Sequence, residues 1–341
     1  MAKKQEVESK GKLQDALDKM EKSYGKGTIL TLNDKPYGNY DVISTGSIGF
    51  DWNVLGIGGF AKGKLYELMG WEGTGKSTIC GEAVANCQKQ GGTVLYIDGE
   101  CAVDKIYFQT LGVDTSKMLL SQPSCGEEGF NIALELINSG KVDLVIIDSD
   151  SSLIPKKVLD GDIGDSAIGK KALLNSGAYP KLKTALAKNH VCVIVVSQYR
   201  EKIGVMFGNP TTTQGGHALK FYSDCRIEIS KSLAKEGDVT YGNITKIKCT
   251  KNKMSPPYRN SQFEIVYGKG IDRVGEMMEL INDFETGRKY GKTMTVDEVK
   301  YDLDDFRNLL LKDEVFYNFM KEKIILKINP VEEIEIKTEE L

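Results

Sequence analysis

Four short, predominantly apolar runs constrain the fold of this chain more than any other feature. Each is rich in β-branched residues, and helical stretches separate one run from the next between about Val42 and Ile271. Strands buried on both faces of a largely parallel sheet have this composition, and the alternation with helices is typical of an α/β domain. The sequence therefore predicts an α/β fold with a mostly parallel central sheet, whose strands include Leu65–Met69, Thr93–Ile97, Val142–Ile147 and Val191–Val196.

A phosphate-binding motif follows the first of these runs. The stretch "GWEGTGKST" fits G-x-x-x-x-G-K-[ST], with the strand "KLYELM" before it and the helix former "TICGEAVANCQKQ" after it. Backbone N–H groups of such a loop surround phosphate oxygens, Lys76 would reach the β- and γ-phosphates, and Ser77 would bind Mg²⁺. A chance glycine-rich turn is the alternative, which the strand–loop–helix context disfavours. The predicted nucleotide-binding residues are Gly70, Trp71, Glu72, Gly73, Thr74, Gly75, Lys76, Ser77 and Thr78.

Two carboxylates stand at the ends of other predicted strands. Asp148 closes "VDLVIID", where such a protein associates with magnesium, and Glu100 follows "TVLYID", where it could orient or deprotonate an attacking water. Ligands of α/β sheets bind at the carboxyl ends of strands, although a solvated loop carboxylate is the alternative for Glu100. Together these residues predict magnesium-dependent ATP hydrolysis, with Ser77 and Asp148 at the metal.

Composition excludes several other classes of protein. The chain has 341 residues with 45 basic and 48 acidic side chains, so it is no bulk polycation, although a local basic surface stays possible. Seven scattered cysteines and only two histidines lack zinc-ligand spacing and indicate reduced thiols, as expected of a cytoplasmic protein. The charged N-terminus is no signal peptide, and no run approaches the roughly 18 apolar residues that a membrane span needs.

The two ends of the chain differ in texture from the middle. Residues 12–24 have apolar positions at helical spacing and precede a short predicted strand, "GKGTIL", which either packs on its own core or docks on a neighbouring subunit. After Ile271, "VGEMMELINDF", a basic patch at Arg288–Lys292 and a helical block at Val296–Lys323 predict a small α+β domain. The predicted divisions are an arm at 1–37, a core at 38–273, a small domain at 274–330 and an acidic tail at 331–341.

A long predicted loop follows the last apolar run, Val191–Val196. "SQYREKIGVMFGNPTTTQGGHAL", Ser197–Leu219, combines glycines and threonines with two cations and an unpartnered apolar cluster. Loops of this length inside a compact domain are uncommon and usually functional. Its backbone N–H groups could approach phosphates, Arg200 adds charge, and Ile203 could wedge into a base stack, which suits sequence-tolerant binding of single strands.

The chain resembles the bacterial RecA family of strand-exchange recombinases from about Leu13 to Ile271. The later region agrees only loosely, chiefly in its final helical block. The segments that carry the resemblance are "KMEKSYGKGTIL", "LGIGGFAKGKLYELMGWEGTGKST", "YIDGECAVDKIYFQTLGVD", "IIDSDSSL", "GDIGDSAIG", "KIGVMFGNPTTTQGGHALKFY" and "TKNKMSPPYRNSQFEIVYGKGID". The resemblance implies a RecA-type P-loop ATPase core with an N-terminal helix–strand arm and a small C-terminal α+β domain.

The resemblance also implies roles for particular residues. Glu100 is similar to the water-activating glutamate of the family, and Asp104 and Tyr107 stand where its members contact the nucleotide, Tyr107 lying against adenine. Lys251 and Lys253 resemble the pair that reaches into the ATP site of the next subunit, as an arginine finger does. Gln198 resembles the residue that senses the γ-phosphate and links it to the DNA loop. Lys76 completes this predicted catalytic set.

Two DNA-contacting loops of the family would correspond to Leu159–Gly169 and about Tyr199–Gly216. Some positions depart from the family pattern: Thr211 replaces Glu, His217 replaces Asn, and Leu173 and Pro180 replace two cations. The DNA-binding residues that the resemblance implies are Ile168, Gly169, Arg200, Ile203, Gly204, Met206, Phe207, Thr212, Thr213, Gly215, Gly216 and His217.

The function predicted is that of an ATPase dependent on single-stranded DNA, which forms helical filaments and catalyses homologous pairing and strand exchange in recombination and DNA repair. The resemblance implies ATP and Mg²⁺ as cofactors, single-stranded and homologous duplex DNA and further copies of the chain as partners, and no membrane. A LexA-like repressor, in the SOS response, and a single-strand-binding protein are further partners it suggests. A hexameric helicase and a non-catalytic DNA-coating filament are the alternatives.

Overall fold

The computed structural model describes residues 2–24, 29, 40–162, 169–201 and 211–329, with the side chains of the first helix described from residue 13. The chain divides into two units, Met1–Asp41 and Val42–Leu341, each taken here by itself. The predicted divisions at residues 37, 273 and 330 stay predictions, and the predicted tail lies outside the described residues.

The described part of the first unit is essentially one helix. Helix α1 spans Ala2–Tyr24, so the helix predicted over 12–24 is confirmed and starts earlier. Leu13, Met20 and Tyr24 of this helix are exposed. The predicted strand "GKGTIL" falls outside the described residues except for Ile29.

The second unit contains the sheets. Its described helices are α2 (Lys76–Lys89), α3 (Lys105–Thr110), α4 (Gly126–Ser139), α5 (Lys156–Leu159), α6 (Lys170–Asn189), α7 (Ala218–Tyr222), α8 (Arg273–Asp283), α9 (Leu303–Lys312) and α10 (Glu314–Ile328). Its described strands are β1 (Val42–Ile43), β2 (Phe60–Ala61), β3 (Leu65–Gly70), β4 (Val94–Asp98), β5 (Met118–Ser121), β6 (Leu144–Asp148), β7 (Cys192–Glu201), β8 (Thr211–Thr213), β9 (Cys225–Glu236), β10 (Val239–Asn252), β11 (Asn260–Val266), β12 (Gly270–Ile271), β13 (Arg288–Tyr290), β14 (Thr293–Val296) and β15 (Val299–Asp302).

The central sheet has the strand order β12-β11-β10-β9-β3-β7-β6-β4-β5 among the described residues, with β8 paired to β7. The run from β9 through β3, β7, β6 and β4 to β5 is parallel, and β3, β4, β6 and β7 are the four predicted apolar runs. The predicted α/β fold with a mostly parallel sheet is therefore confirmed. The carboxyl ends of these strands lie at one edge, which positions the candidate site.

Helices cover both faces of the sheet because successive strand residues point to opposite sides. One apolar layer joins Ile79 of α2 and Phe108 of α3 to Tyr96 and Ile146 of the strands. The other joins helices α4 and α6, through residues such as Tyr179, to the alternate strand positions.

The antiparallel half of the sheet was not predicted. Strands β9 and β10 form a long hairpin in which Lys246 pairs with Ser230 and Lys251 with Arg226. These strands alternate apolar and charged residues, as in "CRIEISKS", because one face is exposed, so they lack the continuous apolar run of the parallel strands.

The residues after Ile271 form helix α8, the three-stranded sheet β13–β14–β15 and helices α9 and α10. They enclose a separate apolar core that includes Met277, Met294 and Phe306. The helical block predicted at Val296–Lys323 is wrong in its first turns, since a tight turn at Asp297 and Glu298, with φ of 48° and 66°, leads into strand β15. The helices begin only after Asp302, whose carboxylate accepts a hydrogen bond from the backbone N–H of Asp304.

Candidate nucleotide-binding site

The glycine-rich loop connects the end of β3 to the start of α2, as predicted. Gly73 and Gly75 adopt φ of 66° and 93°, which glycine tolerates far better than other residues. A side chain at Gly75 would overlap Ile265, and one at Gly70 would overlap the backbone oxygen of Ile229. The loop can therefore take this form only with glycine at these positions.

Lys76 lies back on this loop. Its Nζ donates hydrogen bonds to the backbone oxygens of Trp71 at 2.7 Å and Gly70 at 3.1 Å. Burial lowers the pKa of Lys76, while the carboxylates of Asp148 and Glu100 act in the opposite direction. The cation is therefore held at the loop by carbonyl oxygens that a phosphate could replace.

Asp148 and Ser77 meet at the predicted magnesium position. The Oδ2 atom of Asp148 accepts hydrogen bonds from Ser77 Oγ and from Tyr96 Oη, each at 2.7 Å. Burial raises the pKa of Asp148, and the bonds from Tyr96 and Ser77 oppose that rise. A hydroxyl and a carboxylate are hard oxygen ligands that suit Mg²⁺, so the residues present fit this ion.

Glu100 and Gln198 come together from two different strands. Glu100 Oε1 accepts hydrogen bonds from Gln198 Nε2 and from Ser149 Oγ, each at 2.6 Å. The turn that carries Glu100 is fixed by Asp98, which accepts hydrogen bonds from the backbone N–H groups of Ala102 and Val103. Two residues predicted as catalytic from separate parts of the sequence thus share one hydrogen bond.

A cavity of about 340 Å³ lies over the loop, and Tyr107 lines it. Tyr107 Oη lies 2.8 Å from Thr78 Oγ1, and Asp104 caps α3 by accepting from the N–H groups of Ile106 and Tyr107. Asp104 therefore positions Tyr107, and its own side chain is outside the lining, as are Gly70 and Trp71. The predicted residues that do line the cavity are Glu72, Gly73, Thr74, Gly75, Lys76, Ser77, Thr78, Glu100, Tyr107, Asp148 and Gln198.

Sequence reasoning missed a second wall of this cavity. Asn243 of β10 and Tyr267, which follows β11, line it together with Ile265 and Gly268. Asn243 donates a hydrogen bond to the backbone oxygen of Gly73 at 3.2 Å and accepts one from Tyr267 Oη at 3.0 Å. The segment "FEIVYGKG" carried the family resemblance, but only the pairing of β10 with β11 places it beside the loop.

Lys251 and Lys253 are not brought to this cavity. Lys251 pairs with Arg226, which pairs with Glu67, three residues or roughly 10 Å before the loop along β3. Lys251 Nζ donates to the backbone oxygens of Lys220 and Phe221 at 2.8 and 3.0 Å. Within one copy of the chain, these two cations therefore lie away from the glycine-rich loop.

The predicted DNA-binding residues that the structure describes gather around one hairpin. β7 runs past Gln198 to Glu201 and pairs with β8, so that Arg200 lies opposite Thr212 and Tyr199 opposite Thr213. The strand thus continues to Glu201, beyond the predicted end at Val196. Gly215 and Gly216 follow β8, His217 precedes α7, and Gly169 precedes α6. The predicted residues Ile168, Ile203, Gly204, Met206 and Phe207 lie outside the described residues.

Trp71 connects the glycine-rich loop to this hairpin. Its side chain is 45% exposed, and its ring lies edge-on to that of Tyr199 with centroids 5.9 Å apart. Tyr199 follows Gln198 directly, so two consecutive residues of β7 contact Glu100 and the glycine-rich loop.

No helix in the described ranges is both long enough and apolar enough to cross a membrane.

Comparisons with known proteins agree with this geometry. A family model described as the RecA N-terminal domain matches residues 11–272. A Protein RecA from Clostridioides difficile is 43% identical over 289 residues, which cover 84% of this chain and 83% of that protein. The Protein RecA of Cytophaga hutchinsonii is 47% identical over 270 residues, 79% of this chain and 76% of that protein, and that of Macrococcus caseolyticus is 44% identical over 286 residues, with 84% and 81% covered. The chain therefore belongs to the RecA family of recombination and DNA-repair proteins.

Proposed function

We propose that this protein hydrolyses ATP as a filament on single-stranded DNA and catalyses homologous pairing and strand exchange. The observation that carries the proposal is the 2.6 Å hydrogen bond between Glu100 and Gln198. It joins the carboxylate best placed to activate water to the strand that continues into the hairpin bearing Arg200. The side chain of Gln198 alone thus connects the carboxylate of Glu100 to the candidate DNA-binding hairpin.

Different residues of the site would bind the phosphates, the metal ion and the base of the nucleotide. Lys76 would leave the carbonyls of Gly70 and Trp71 for the phosphates, and the loop N–H groups would bind the remaining oxygens. Ser77 and Asp148 would hold Mg²⁺, which supplies neutralisation of the phosphate charge when bound. Tyr107 and Tyr267, both on the cavity wall, provide aromatic surface for the base.

Glu100 would act as general base or orient the water. In the present geometry its Oε1 atom is occupied by two donors, Gln198 and Ser149, so it is less free to accept a proton. When Gln198 turns towards a γ-phosphate, that bond is released and the Oε1 atom of Glu100 becomes free to accept a hydrogen bond from water. Hydrolysis is thereby linked to the position of β7 and its hairpin.

Assembly into a filament accounts for two further features. Lys251 and Lys253 lie away from their own cavity, which suits cations that act on the ATP of a neighbouring copy. Helix α1 exposes Leu13, Met20 and Tyr24, apolar side chains that a neighbouring copy could cover. We propose that both elements complete the site only between protomers.

The DNA would follow the hairpin stem. Arg200, Thr212, Gly216 and His217 are exposed there and offer charge, hydroxyl and backbone N–H groups to phosphates. Phosphate contacts of this kind carry no sequence information, so we expect binding that tolerates any sequence and weakens with salt. We expect the protein to work in the cytoplasm, where its seven cysteines stay reduced.

The test measures phosphate release with and without single-stranded DNA, together with pairing of that strand with a homologous duplex. We expect DNA-stimulated release and joint molecules in the wild type, and neither with Lys76→Ala. Unwinding of a forked duplex without joint molecules would favour a hexameric helicase. Release that DNA does not stimulate would favour a passive coat, and strand exchange by Lys76→Ala would refute the mechanism.

A further inference from the structure

The segment Asp148–Ser152, which begins at the last residue of β6, contacts several functional elements. Asp148 accepts from Ser77 of the nucleotide site, and Ser149 donates to Glu100. The Oγ atom of Ser151 accepts a hydrogen bond from the backbone N–H of Gln198 at 3.3 Å. A movement of this segment would therefore be felt at the metal position, the water-activating carboxylate and β7 together.

Asp150, in the middle of this segment, points away from the nucleotide towards helix α6. It is 1% exposed, and its carboxylate accepts hydrogen bonds from Tyr179 Oη at 2.6 Å and Asn175 Nδ2 at 3.1 Å. Lys171 Nζ lies 3.4 Å from the same carboxylate. The three partners stand four residues apart along α6, so they form one stripe that faces Asp150.

Asn175 extends this contact to the DNA hairpin. Its Nδ2 atom also donates to the backbone oxygen of Gly215 at 3.2 Å. Gly215 adopts a φ of 89°, and a side chain there would overlap Asn175 Nδ2 and lie 3.0 Å from Asp150 Oδ2. A side chain at the next residue, Gly216, would lie 2.9 Å from Cβ of Ala172 in α6. The end of the hairpin is therefore fitted to this stripe.

The same stripe begins at the other predicted DNA loop. Lys171 is two residues after Gly169, where that loop ends and α6 starts. Besides Asp150, Lys171 Nζ contacts the backbone oxygen of Leu153 at 2.7 Å. The stems of both loops are thus tied to one buried carboxylate.

A buried ionic cluster of this kind is weak evidence for stability, because apolar side chains of similar volume would stabilise the fold as well. What the cluster does provide is directional contacts that fix the relative position of its members. The Oδ1 atom of Asn175 is buried without a hydrogen-bond partner among the described residues, so the amide is oriented for its two acceptors at some energetic cost.

We propose that Asp150 and Asn175 are positioning residues that transmit the nucleotide state of Asp148–Ser151 to the stems of both DNA loops. The assignment of those loops to DNA rests on the proposed function. The mechanical part of the proposal, from nucleotide to Gly215, does not depend on it. The link is separate from the Gln198–Glu100 bond, since it leaves the opposite side of the same segment.

The test compares Asn175→Ala with Tyr179→Phe as a matched control. Both remove hydrogen bonds to Asp150, but only the first breaks the contact with Gly215. Amide hydrogen exchange over residues 215–219, which follow the strand β8 that pairs with β7, is measured with and without a non-hydrolysable ATP analogue and Mg²⁺, in the absence of DNA. We expect the analogue to change exchange in the wild type and in Tyr179→Phe, and to have no such effect in Asn175→Ala. Asp150→Asn, which preserves shape, serves as a second variant and should behave as Asn175→Ala does.

A second readout is the factor by which the analogue raises affinity for single-stranded DNA. Since allosteric coupling is typically worth about 5- to 150-fold, we expect Asn175→Ala to lose at least about fivefold of that factor, with analogue affinity within about twofold of the wild type. Exchange that still responds in Asn175→Ala, or is lost equally in Tyr179→Phe, overturns the inference. A response of exchange to the analogue without any DNA binding would instead refute the proposed function and leave the mechanical link supported.

Discussion

Replacing Glu276 by glutamine should flatten the dependence of stability on pH. Glu276 of α8 is buried and accepts hydrogen bonds from the backbone N–H groups of Ile48 and Gly49, and from the Ser47 hydroxyl. It thereby fastens the region after Ile271 to the start of the second unit. Burial is the main reason that its pKa rises from 4.5 to about 7. Asp51 is buried beside the same turn, and burial likewise raises its pKa from 3.8 to about 7.

The direction and the size of this pH dependence follow from the raised pKa of Glu276. Because the native carboxyl keeps its proton to a higher pH than the unfolded chain does, its stabilising contribution is complete below pH 4.5 and is lost as the pH rises through 7. For Glu276 the loss in free energy of unfolding is about 3 kcal/mol, since a pKa difference of one corresponds to about 1.4 kcal/mol. That loss would lower the melting temperature by roughly 5 °C.

The assay is thermal or urea unfolding of the wild type and Glu276→Gln between pH 5 and 8.5. Glutamine cannot titrate, and its single oxygen can accept from Gly49 while its NH2 group faces the N–H of Ile48, so the variant loses some stability at every pH. We expect the wild type to lose stability from pH 5 to pH 8 and the variant to lose about 2.5 kcal/mol less over the same range. Asp51→Asn provides the control for the second carboxyl. If the free energy of unfolding depends on pH identically in the wild type and in Glu276→Gln, titration of Glu276 does not contribute to the stability.

Three further predictions concern the site. Glu100→Gln should lower ATP turnover by about 10²- to 10⁴-fold while nucleotide titrations show retained binding, and turnover at the wild-type rate would contradict the assigned role. Lys253→Ala should be inactive alone but recover part of its DNA-stimulated phosphate release when mixed with Lys76→Ala, because each supplies the half-site that the other lacks; mixtures no more active than their components would argue against action in trans. Trp71 should change its fluorescence when single-stranded DNA binds, since its ring contacts Tyr199 on the hairpin, and a signal that survives in Trp71→Phe would show that another residue produces it.

The parallel half of the sheet and the nucleotide loop could be predicted because their signals are local. A buried strand such as Leu144–Asp148 is apolar almost throughout, and the glycine-rich loop has fixed spacing between its residues. The rule that strand ends meet at one edge was enough to predict that Asp148 and Glu100 lie together, whereas Gln198 was predicted from the family resemblance.

The second wall of the cavity could not be predicted in the same way. Asn243 and Tyr267 reach the glycine-rich loop only through the pairing of β10 with β9 and β11, and the register of long amphipathic strands is a tertiary property. The role of Asp150 could not be predicted for a related reason. An aspartate directly after a strand is usually a solvated loop residue, and only the fold brings Tyr179 and Asn175 of α6 to it. Buried polar contacts depend on partners distant in sequence, and a single sequence does not show them.

The proposed mechanism depends on Gln198, which would connect the state of the nucleotide to the affinity for DNA. The most direct measurement is the affinity of Gln198→Ala and of the wild type for a labelled single strand, with and without a non-hydrolysable ATP analogue. We expect the analogue to raise affinity in the wild type and to raise it much less in Gln198→Ala, while both proteins bind the analogue itself. If the analogue raises the DNA affinity of Gln198→Ala as much as that of the wild type, Gln198 does not link the nucleotide to DNA binding.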